Sequence, residues 1–400
     1  MKQRPEFKSK ALLGSQYFLY FGVMGIFLPY FNLYCYHIGF TGLQIGTLSG
    51  MRSLMLVLFP LMWGAIADRF HIRKPIYILC NFASVSIWGF FLLTEDFSMM
   101  LVITVVYSLF YGPIISFLEA VTMEVLDREK KSYGRIRVWG SVSFILMVAI
   151  IGKMIDVYPI RLILWLILYG ALIQAILSVR IPKRHAAPVV RTRSNGLRTY
   201  TRKRVVVFLT AGFLMLVSHG TYYGFFSIHL EKLGFGGTFI GMSWALASIA
   251  EILVMINSDR LFKKWSVEHV LLVSFGVAAV RWSVLALASS ATVILCSQVL
   301  HAVTYAAFHI SCILYIDRLS PSETKTTGQA VNNAVSYGLG MMAGFLFNGF
   351  LFEHLPMAAL FWISAGIALA GGGVFGGYQL SRRRLGHRMA THRKVSGSRD

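Results

Sequence analysis

Nine ionisable side chains of this sequence stand inside long apolar stretches, and they carry its clearest chemical signal. They are Arg52, Glu119, Glu124, Arg137, His219, Glu251, Arg281, His301 and His309. A charge in the hydrocarbon core of a membrane costs about 3 kcal/mol or more, so such residues are candidates for substrate or ion sites. Each of them could instead join two helices as a purely structural pair.

Arg137 and Glu119 form the first candidate pair. Arg137 is followed by no other charge until Lys153, and Glu119 stands eighteen residues earlier, in the preceding apolar stretch. Antiparallel helices joined by a short turn would bring both to similar depth, where an ion pair lowers the cost of burying either charge. The pair could bind sugar hydroxyls, or the arginine could hold a substrate carboxylate. Glu124, farther along, is assigned to a charge cluster at the membrane surface.

The elements that hold these residues are predicted to be membrane-spanning helices. The 400-residue chain is 56% hydrophobic and only 14% charged, its mean hydropathy is +0.63, and a soluble domain is about a quarter charged. A spanning helix needs about 20 apolar residues. Twelve stretches qualify: 11–35, 43–66, 76–94, 99–125, 136–156, 160–179, 205–228, 237–257, 268–289, 292–316, 327–351 and 356–379. We therefore predict an all-α integral membrane protein with twelve transmembrane helices.

The basic residues are placed as a membrane topology signal. Of the 38 Lys and Arg behind the net charge of +21, 32 fall in the tails and the even-numbered turns. This asymmetry places both termini in the cytoplasm, with anionic lipid as a further partner of the basic segments. Nucleic acid is not expected as a partner.

The chain divides into two similar halves. A basic, polar segment, residues 180–204, is predicted to be a cytoplasmic linker between an N-terminal six-helix bundle (1–179) and a C-terminal one (205–380), with a basic cytoplasmic tail at 381–400. Asp-Arg followed by a basic pair recurs after the second and the eighth span. The predicted conformational latch comprises Asp68, Arg69, Arg73, Lys74, Asp259 and Arg260.

Two sets of six spans, with GAIADRFHIRK after the second span, resemble the major facilitator superfamily. The resemblance implies two pseudo-repeated six-helix bundles around a central cavity. The substrate site of that fold lies near the bilayer midplane and faces each side of the membrane alternately.

More specific likenesses point to one branch of that superfamily. The segments LEA and YGRIRVWG, which contain Glu119 and Arg137, are similar to lactose permease and its phenylpropionate permease relatives. In lactose permease the matching Glu and Arg recognise the galactoside, so the resemblance implies that these two residues bind substrate. QYFLYFGVMGIFLPYF resembles the branch's aromatic first span, and aromatic rings stack on sugars or aromatic substrates. Tyr20, from this aromatic first span, is therefore added to the predicted substrate-binding residues. His301, whose imidazole could contact a substrate, completes the set.

The C-terminal half resembles the coupling machinery of the same branch. Arg281 and His301, twenty residues apart, match an Arg and a His of lactose permease, and Glu251 matches a glutamate that links its sugar and proton sites. The resemblance implies that these three residues couple solute to protons. Thr304 stands where lactose permease has its proton-carrying glutamate, and threonine cannot carry a proton. Glu251, the only carboxylate away from the span ends in this half, is therefore the predicted carrier. His219 and His309 could relay protons or pack as neutral residues.

Together these features predict a secondary active transporter and no enzyme. The predicted activity is proton-coupled symport of a small polar organic solute, either a sugar or oligosaccharide or a small aromatic acid. An exporter or exchanger of the same fold stays open, as does a membrane-embedded transferase. There is no G-x-x-x-x-G-K-[ST] loop, so no ATP hydrolysis and no cofactor is expected, and the four scattered cysteines show no metal spacing. We expect a monomer in the bacterial cytoplasmic (inner) membrane.

Overall fold

The computed structural model describes residues 3–126, 132–181 and 197–396, which are helical almost throughout and contain no strand. Twelve helices dominate these residues: α1 (Ser9–His37), α2 (Gly42–Phe70), α3 (Arg73–Leu92), α4 (Phe97–Leu126), α5 (Tyr133–Ile155), α6 (Leu162–Ser178), α7 (Lys203–Lys232), α8 (Gly237–Ile256), α9 (Val267–Leu287), α10 (Ala291–Leu319), α11 (Lys325–Phe352) and α12 (Met357–Arg382). The first helix starts earlier, at Gln3, and the last continues to Ser396. The short helices Leu197–Tyr200 and Ser258–Lys264 precede α7 and follow α8.

The predicted fold class is confirmed. Eleven of these helices are long and apolar enough to cross a membrane, and α6 is a shorter apolar helix of 17 residues. Each coincides with one predicted span to within a few residues. The proposed domain boundaries stay predictions: residues 182–196 of the 180–204 linker lie outside the described part of the chain, and α12 runs on through much of the predicted tail.

Helix packing repeats between the halves. In the first half α1 packs on α5 and α6, α2 on α4, and α3 on α4 and α6. In the second half α7 packs on α11 and α12, α8 on α10, and α9 on α10 and α12. Adding six to both helix numbers of each first-half pair gives one of the second-half pairs. The two bundles therefore share one internal arrangement.

The two bundles meet along α2 with α11, α5 with α8, and α1 with α7. We call the end of the molecule where α7 begins the linker side and the opposite end the far side. Glycines let the bundles approach closely at the far side. A Cβ added to Gly46 would meet the backbone of Phe345 and Gly349, and one added to Gly152 would meet that of Gly237. Small residues permit such helix contacts within membranes.

Two carboxylates cap helices across the far-side contact. Asp156, directly after α5, accepts hydrogen bonds from Gly237 N (2.5 Å) and Thr238 N (3.0 Å) at the start of α8. Glu353, directly after α11, accepts one from Leu43 N (3.4 Å) at the start of α2. A carboxylate satisfies the free N–H groups of a helix N-terminus and interacts favourably with its dipole. Each bundle therefore caps a helix of the other bundle.

A hydrogen-bonded side-chain pair joins α1 and α7 at the same end. His37 Nε2 lies 2.8 Å from a carboxylate oxygen of Glu231, and both side chains are partly exposed. We refer to this pair and the two cross-bundle caps together as the far-side gate, which holds the far ends of the bundles together.

Two helices contain π-helical turns beside the centre of the molecule. They span Ala302–Ala307 in α10 and Asn333–Gly340 in α11. A π-turn inserts a residue into the helical repeat and changes which side chains share a face, and such turns are frequent at functional sites. Tyr305 and Tyr337, one from each turn, line the cavity described next.

Candidate functional site

A cavity of about 630 Å³ lies between the two bundles. Helices α1, α2 and α5 line it from one side, and α7, α8, α10 and α11 from the other. Its lining reaches Met255 and Asn333 near the linker-side ends of α8 and α11, whereas the gate closes the far side. The cavity therefore opens toward the linker side, and its volume suits a small organic ligand. Its ionisable lining residues are Arg52, Arg137, Glu251, His301 and His309.

Arg281, His301 and Glu251, the three predicted coupling residues, form a continuous hydrogen-bonded row that we call the Arg–His–Glu cluster. Arg281 Nη1 lies 2.6 Å from His301 Nδ1, and His301 Nε2 lies 2.7 Å from Glu251 Oε1. A guanidinium can only donate, so Nδ1 accepts and the ring proton of neutral His301 is on Nε2. That N–H points at the Glu251 carboxylate, so the imidazole connects the cation to the carboxylate.

Neutral polar groups that sequence reasoning missed hold the arginine in place. Arg281 Nη2 donates to Gln298 Oε1 at 2.9 Å, and Tyr222 Oη donates to the same oxygen at 3.0 Å. The guanidinium also stacks on the Tyr222 ring, 4.2 Å from its centroid, a favourable cation–π contact. Thr304 Oγ1 lies 3.4 Å from Arg281 Nη1. The threonine that stands where lactose permease has its proton-carrying glutamate is therefore a weak hydrogen-bond partner of the arginine.

Exposure within the cluster falls from the cavity inward. The Glu251 side chain is 20% exposed and that of His301 is 3% exposed, while Arg281 is fully buried. Glu251 is thus the member that solvent in the cavity can reach. Protonation of its carboxyl would change the net charge of the cluster from zero to +1, because the arginine keeps its charge. The cluster can therefore bind and release a proton at its cavity end.

The other two histidines differ in their surroundings. His309 lines the cavity, and its Nδ1 lies 2.6 Å from Tyr337 Oη. The Tyr305 ring stacks between His309 and His301, with centroid distances of 6.3 and 5.3 Å. His219 is fully buried and donates from Nδ1 to the Met215 carbonyl at 2.8 Å. His309 can meet a solute in the cavity, whereas His219 packs inside its own bundle.

The predicted partners Glu119 and Arg137 are near each other without forming an ion pair between their described side chains. Their charges interact electrostatically, but Arg137 stacks on the Phe21 ring, 3.8 Å from the centroid, and lines the cavity. Glu119 accepts a hydrogen bond from Tyr133 Oη at 3.4 Å and is not among the lining residues found for this cavity.

Tyr20 likewise packs behind the cavity wall. It is buried and stacks on Tyr111 with a centroid distance of 5.3 Å, and Tyr111 stacks on Tyr107 at 4.9 Å. The roles of Tyr20 and Glu119 in substrate binding stay predictions.

Arg52 is a cavity residue to which the sequence assigned no role. It lines the large cavity and also a neighbouring one of about 30 Å³. Its guanidinium lies over the Phe27 ring, 4.1 Å from the centroid. Its buried Nε has no hydrogen-bond partner among the described residues. In the sequence, the one feature that could have indicated a role for Arg52 is its position as a single cation in the middle of an apolar stretch.

The predicted latch contains an ion-pair network at the linker-side ends of α2, α3 and α4. Arg73 donates from Nη2 and Nε to Asp68 Oδ1, at 2.9 and 3.2 Å, and from Nη1 to Glu124 Oε1. The tight turn that brings α3 back beside α2 passes through His71 in the left-handed region (φ 54°). Glu124, assigned from sequence to a surface charge cluster, is therefore a third member of this network.

The remaining latch residues behave differently. Arg69 stacks over Phe70 at 5.5 Å, and Arg260 Nη1 lies 3.5 Å from Asn257 Oδ1. Within the part of the chain that the structure describes, Lys74 and Asp259 join no ion pair. The charge network at this end of the second bundle instead centres on Glu268, which lies 3.8 Å from both Arg204 and Arg318.

Two six-helix bundles around a central cavity with intramembrane charges define a membrane transporter. The sequence matches the family described as "MFS_1 like family" over residues 11–363. The chain belongs to this family, within the major facilitator superfamily.

Individual relatives agree with this assignment. The chain is 27% identical over 371 residues to the "Probable 3-phenylpropionic acid transporter" of Escherichia coli K12, covering 90% of this chain and 96% of the relative. It is 24% identical over 352 residues to the maltose permease of Geobacillus stearothermophilus, with coverages of 86% and 88%. Among solved structures, the nucleoside transporter NupG superposes with a TM-score of 0.83 at 16% identity, over 92% of this chain and 98% of that one. The resemblance predicted from the sequence is confirmed, and these proteins are transporters.

Proposed function

We propose that this protein is a proton-coupled symporter of a small organic solute in the cytoplasmic membrane of a bacterium, working by alternating access. The linker side is assigned to the cytoplasm because the basic residues concentrate there, as the positive-inside rule requires. On that assignment the structure is in the inward-facing state, with the gate closed toward the outside. We expect one chain to suffice, since each bundle supplies half of the cavity, and anionic lipid to contact the basic linker and tail.

The contact that carries this proposal is the Arg–His–Glu cluster at the cavity wall. Glu251 can exchange a proton with the cavity, and His301 transmits the resulting change of charge to buried Arg281. In the outward-facing state the carboxylate would take a proton together with the solute. In the inward-facing state both would leave to the cytoplasm, and Arg281 would again balance the ionised Glu251.

Arg73, Asp68 and Glu124 are proposed to act as the cytoplasmic latch of the cycle. Their network ties together the ends of three helices of one bundle and so fixes that end of α2, which contacts the other bundle through α11.

The family accepts substrates as different as those in the relatives' names, a phenylpropionic acid and maltose. Export or exchange without protons is the alternative activity.

Transport into proteoliposomes tests the coupling. We expect the parent to accumulate one labelled solute from a panel of 3-phenylpropionate, maltose and a nucleoside under an inward proton gradient. Glu251→Gln should lose accumulation and keep counterflow exchange, because the amide retains hydrogen bonding but carries no proton.

A matched control is Glu95→Gln, an exposed carboxylate paired with Arg161, which should accumulate solute like the parent. A Glu251→Gln variant that concentrates solute as well as the parent would contradict proton transfer at this residue. Accumulation by the parent without any proton gradient would favour exchange.

A further inference from the structure

We propose that the transported solute is a small organic anion with one carboxylate on an aromatic or apolar body, and that the Arg52 guanidinium binds this carboxylate. The proposal rests on the function proposed above and names its substrate class. It starts from a residue that lies outside both the Arg–His–Glu cluster and the Glu119–Arg137 pair.

Arg52 stands at the depth where a solute must bind in an alternating-access carrier. It follows the start of α2, Gly42, by ten residues, which is about 15 Å along the helix axis. The hydrocarbon core is about 30 Å thick, so Arg52 lies near its midplane, where carriers of this kind bind their substrates. Arg137, four residues after the linker-side start of α5 at Tyr133, lies much nearer the cytoplasm.

The charge of Arg52 is uncompensated within the described protein. No Asp or Glu of the described residues forms an ion pair with it, whereas Arg281 reaches Glu251 through His301. The Phe27 ring lies beneath the guanidinium, and the other residues that line the smaller cavity with Arg52 are aromatic, aliphatic or uncharged polar ones. An unpaired cation at the midplane is costly. A carboxylate supplied by the solute would satisfy it with charge-assisted, bidentate hydrogen bonds.

The rest of the cavity wall suits an apolar body better than a sugar. Aromatic and aliphatic side chains make up most of the lining, and its uncharged polar side chains other than the tyrosines, Trp244 and the two histidines are those of Ser53, Ser141, Ser248 and Asn333. A disaccharide would place part of its hydroxyls against the aromatic and aliphatic side chains of this wall, and buried polar groups without a partner are penalised. An aromatic ring between Phe21, Tyr223 and Phe345 would meet rings and methylenes instead.

The two halves of the cavity then balance in charge. A carboxylate at Arg52 adds one negative charge, and a proton at Glu251 adds one positive charge. The loaded carrier would have the same net charge as the empty one. This equality explains why the site would hold a cation in one bundle and an exchangeable carboxyl in the other.

Calorimetric binding to the purified full-length protein tests the proposal without any proton gradient. The probes are aromatic monocarboxylates (benzoate, phenylacetate and 3-phenylpropionate), the neutral amide of each, and maltose. A hydrogen-bonded charge pair corresponds to a difference of about 10- to 100-fold in Kd. We expect the parent to bind at least one carboxylate that much more tightly than its amide. Arg52→Gln should bind both equally, with the affinity for the amide unchanged.

Two further variants control for folding and for general charge. Arg52→Lys should keep part of the preference for the carboxylate, because it keeps the charge without the planar fork. Arg161→Gln removes an exposed far-side arginine and should bind like the parent. The preference of the parent is itself a test that needs no variant.

Three results would overturn the proposal: a parent that binds no carboxylate of the panel, a parent that binds amides or maltose equally well, or an Arg52→Gln variant that keeps the preference. If the carboxylate preference depends on Arg52 but uptake ignores a proton gradient, the substrate class stands and the symport proposal fails.

Discussion

Replacing Asp156 should open the far-side gate. Its carboxylate accepts three hydrogen bonds, from Gly237 N, Thr238 N and Thr238 Oγ1, and all three cross between the bundles. Alanine at an N-cap costs about 1 kcal/mol, within a range of about 0.5–2. Because the cap exists only in the state with a closed far side, that energy changes the equilibrium between the two states. The ratio of outward-open to inward-open molecules should rise about fivefold.

Distances between spin labels on the two bundles measure this ratio. Suitable sites are Val157 and Leu233, both exposed at the far side, one on each bundle. Cys296, the one exposed cysteine among the described residues, is replaced by Ser, since the other three are buried. Asp156→Ala should enlarge the population with a long distance, and Asp156→Asn, which can still cap, should change it much less. Equal distance distributions in the parent and Asp156→Ala would refute the role of the cap.

The Asp156 carboxylate also leads to a prediction about how the closed far-side gate depends on pH. Burial alone would raise the pKa of Asp156, but the hydrogen bonds from Thr238 and Gly237 outweigh it, and the pKa lies below its ordinary value. A lowered pKa stabilises the closed gate fully above the ordinary value of about 3.9, and this stabilisation is lost as the pH falls through the lowered value. Titration of Asp156 should therefore leave the distance distribution unchanged between pH 5 and pH 8. A dependence in that range that Asp156→Asn abolishes would contradict this assignment.

Three further predictions concern other parts of the molecule. Gln298→Met should lower the melting temperature, because Arg281 loses a buried acceptor at a cost of about 1–3 kcal/mol; an unchanged temperature would remove Gln298 from the support of the cluster. Glu124→Gln should weaken the latch by about 1 kcal/mol, since its partner Arg73 is only partly buried, and should lower the population with long linker-side label distances, because the network is formed while the linker side is open; an identical distribution would argue against a latch. If a carboxylate at Arg52 and a proton at Glu251 travel together, uptake should respond to a pH gradient and not to a potassium diffusion potential set with valinomycin; stimulation by the potential alone would contradict charge balance.

The helices and their repeat could be predicted because the bilayer imposes them. A spanning helix needs about 20 apolar residues whatever its neighbours are, so twelve spans and two halves follow from hydropathy and from the recurring Asp-Arg. The proximity of Glu251, Arg281 and His301 could be predicted only from the resemblance to lactose permease, because nothing in their spacing determines which helices touch.

Side-chain direction and contacts between bundles could not be predicted. Arg137 is directed to Phe21 and the cavity because α1 packs on α5, whereas the sequence paired it with Glu119 from similar depth and from the resemblance to lactose permease. Gln298 is an uncharged residue in an apolar run, and nothing in the sequence marked it as a partner of Arg281. The cap by Asp156 joins residues of different bundles that lie 81 positions apart in the sequence, so no local pattern predicts it.

Proton movement that accompanies solute tests the central claim most directly. Solute is added to lightly buffered proteoliposomes, and the external pH is recorded. The parent should alkalinise the medium as solute enters, Glu95→Gln should do the same, and Glu251→Gln should give no pH change while still exchanging labelled solute. Alkalinisation by Glu251→Gln at the rate of the parent would show that the proton travels by another group and would contradict the proposed mechanism of coupling.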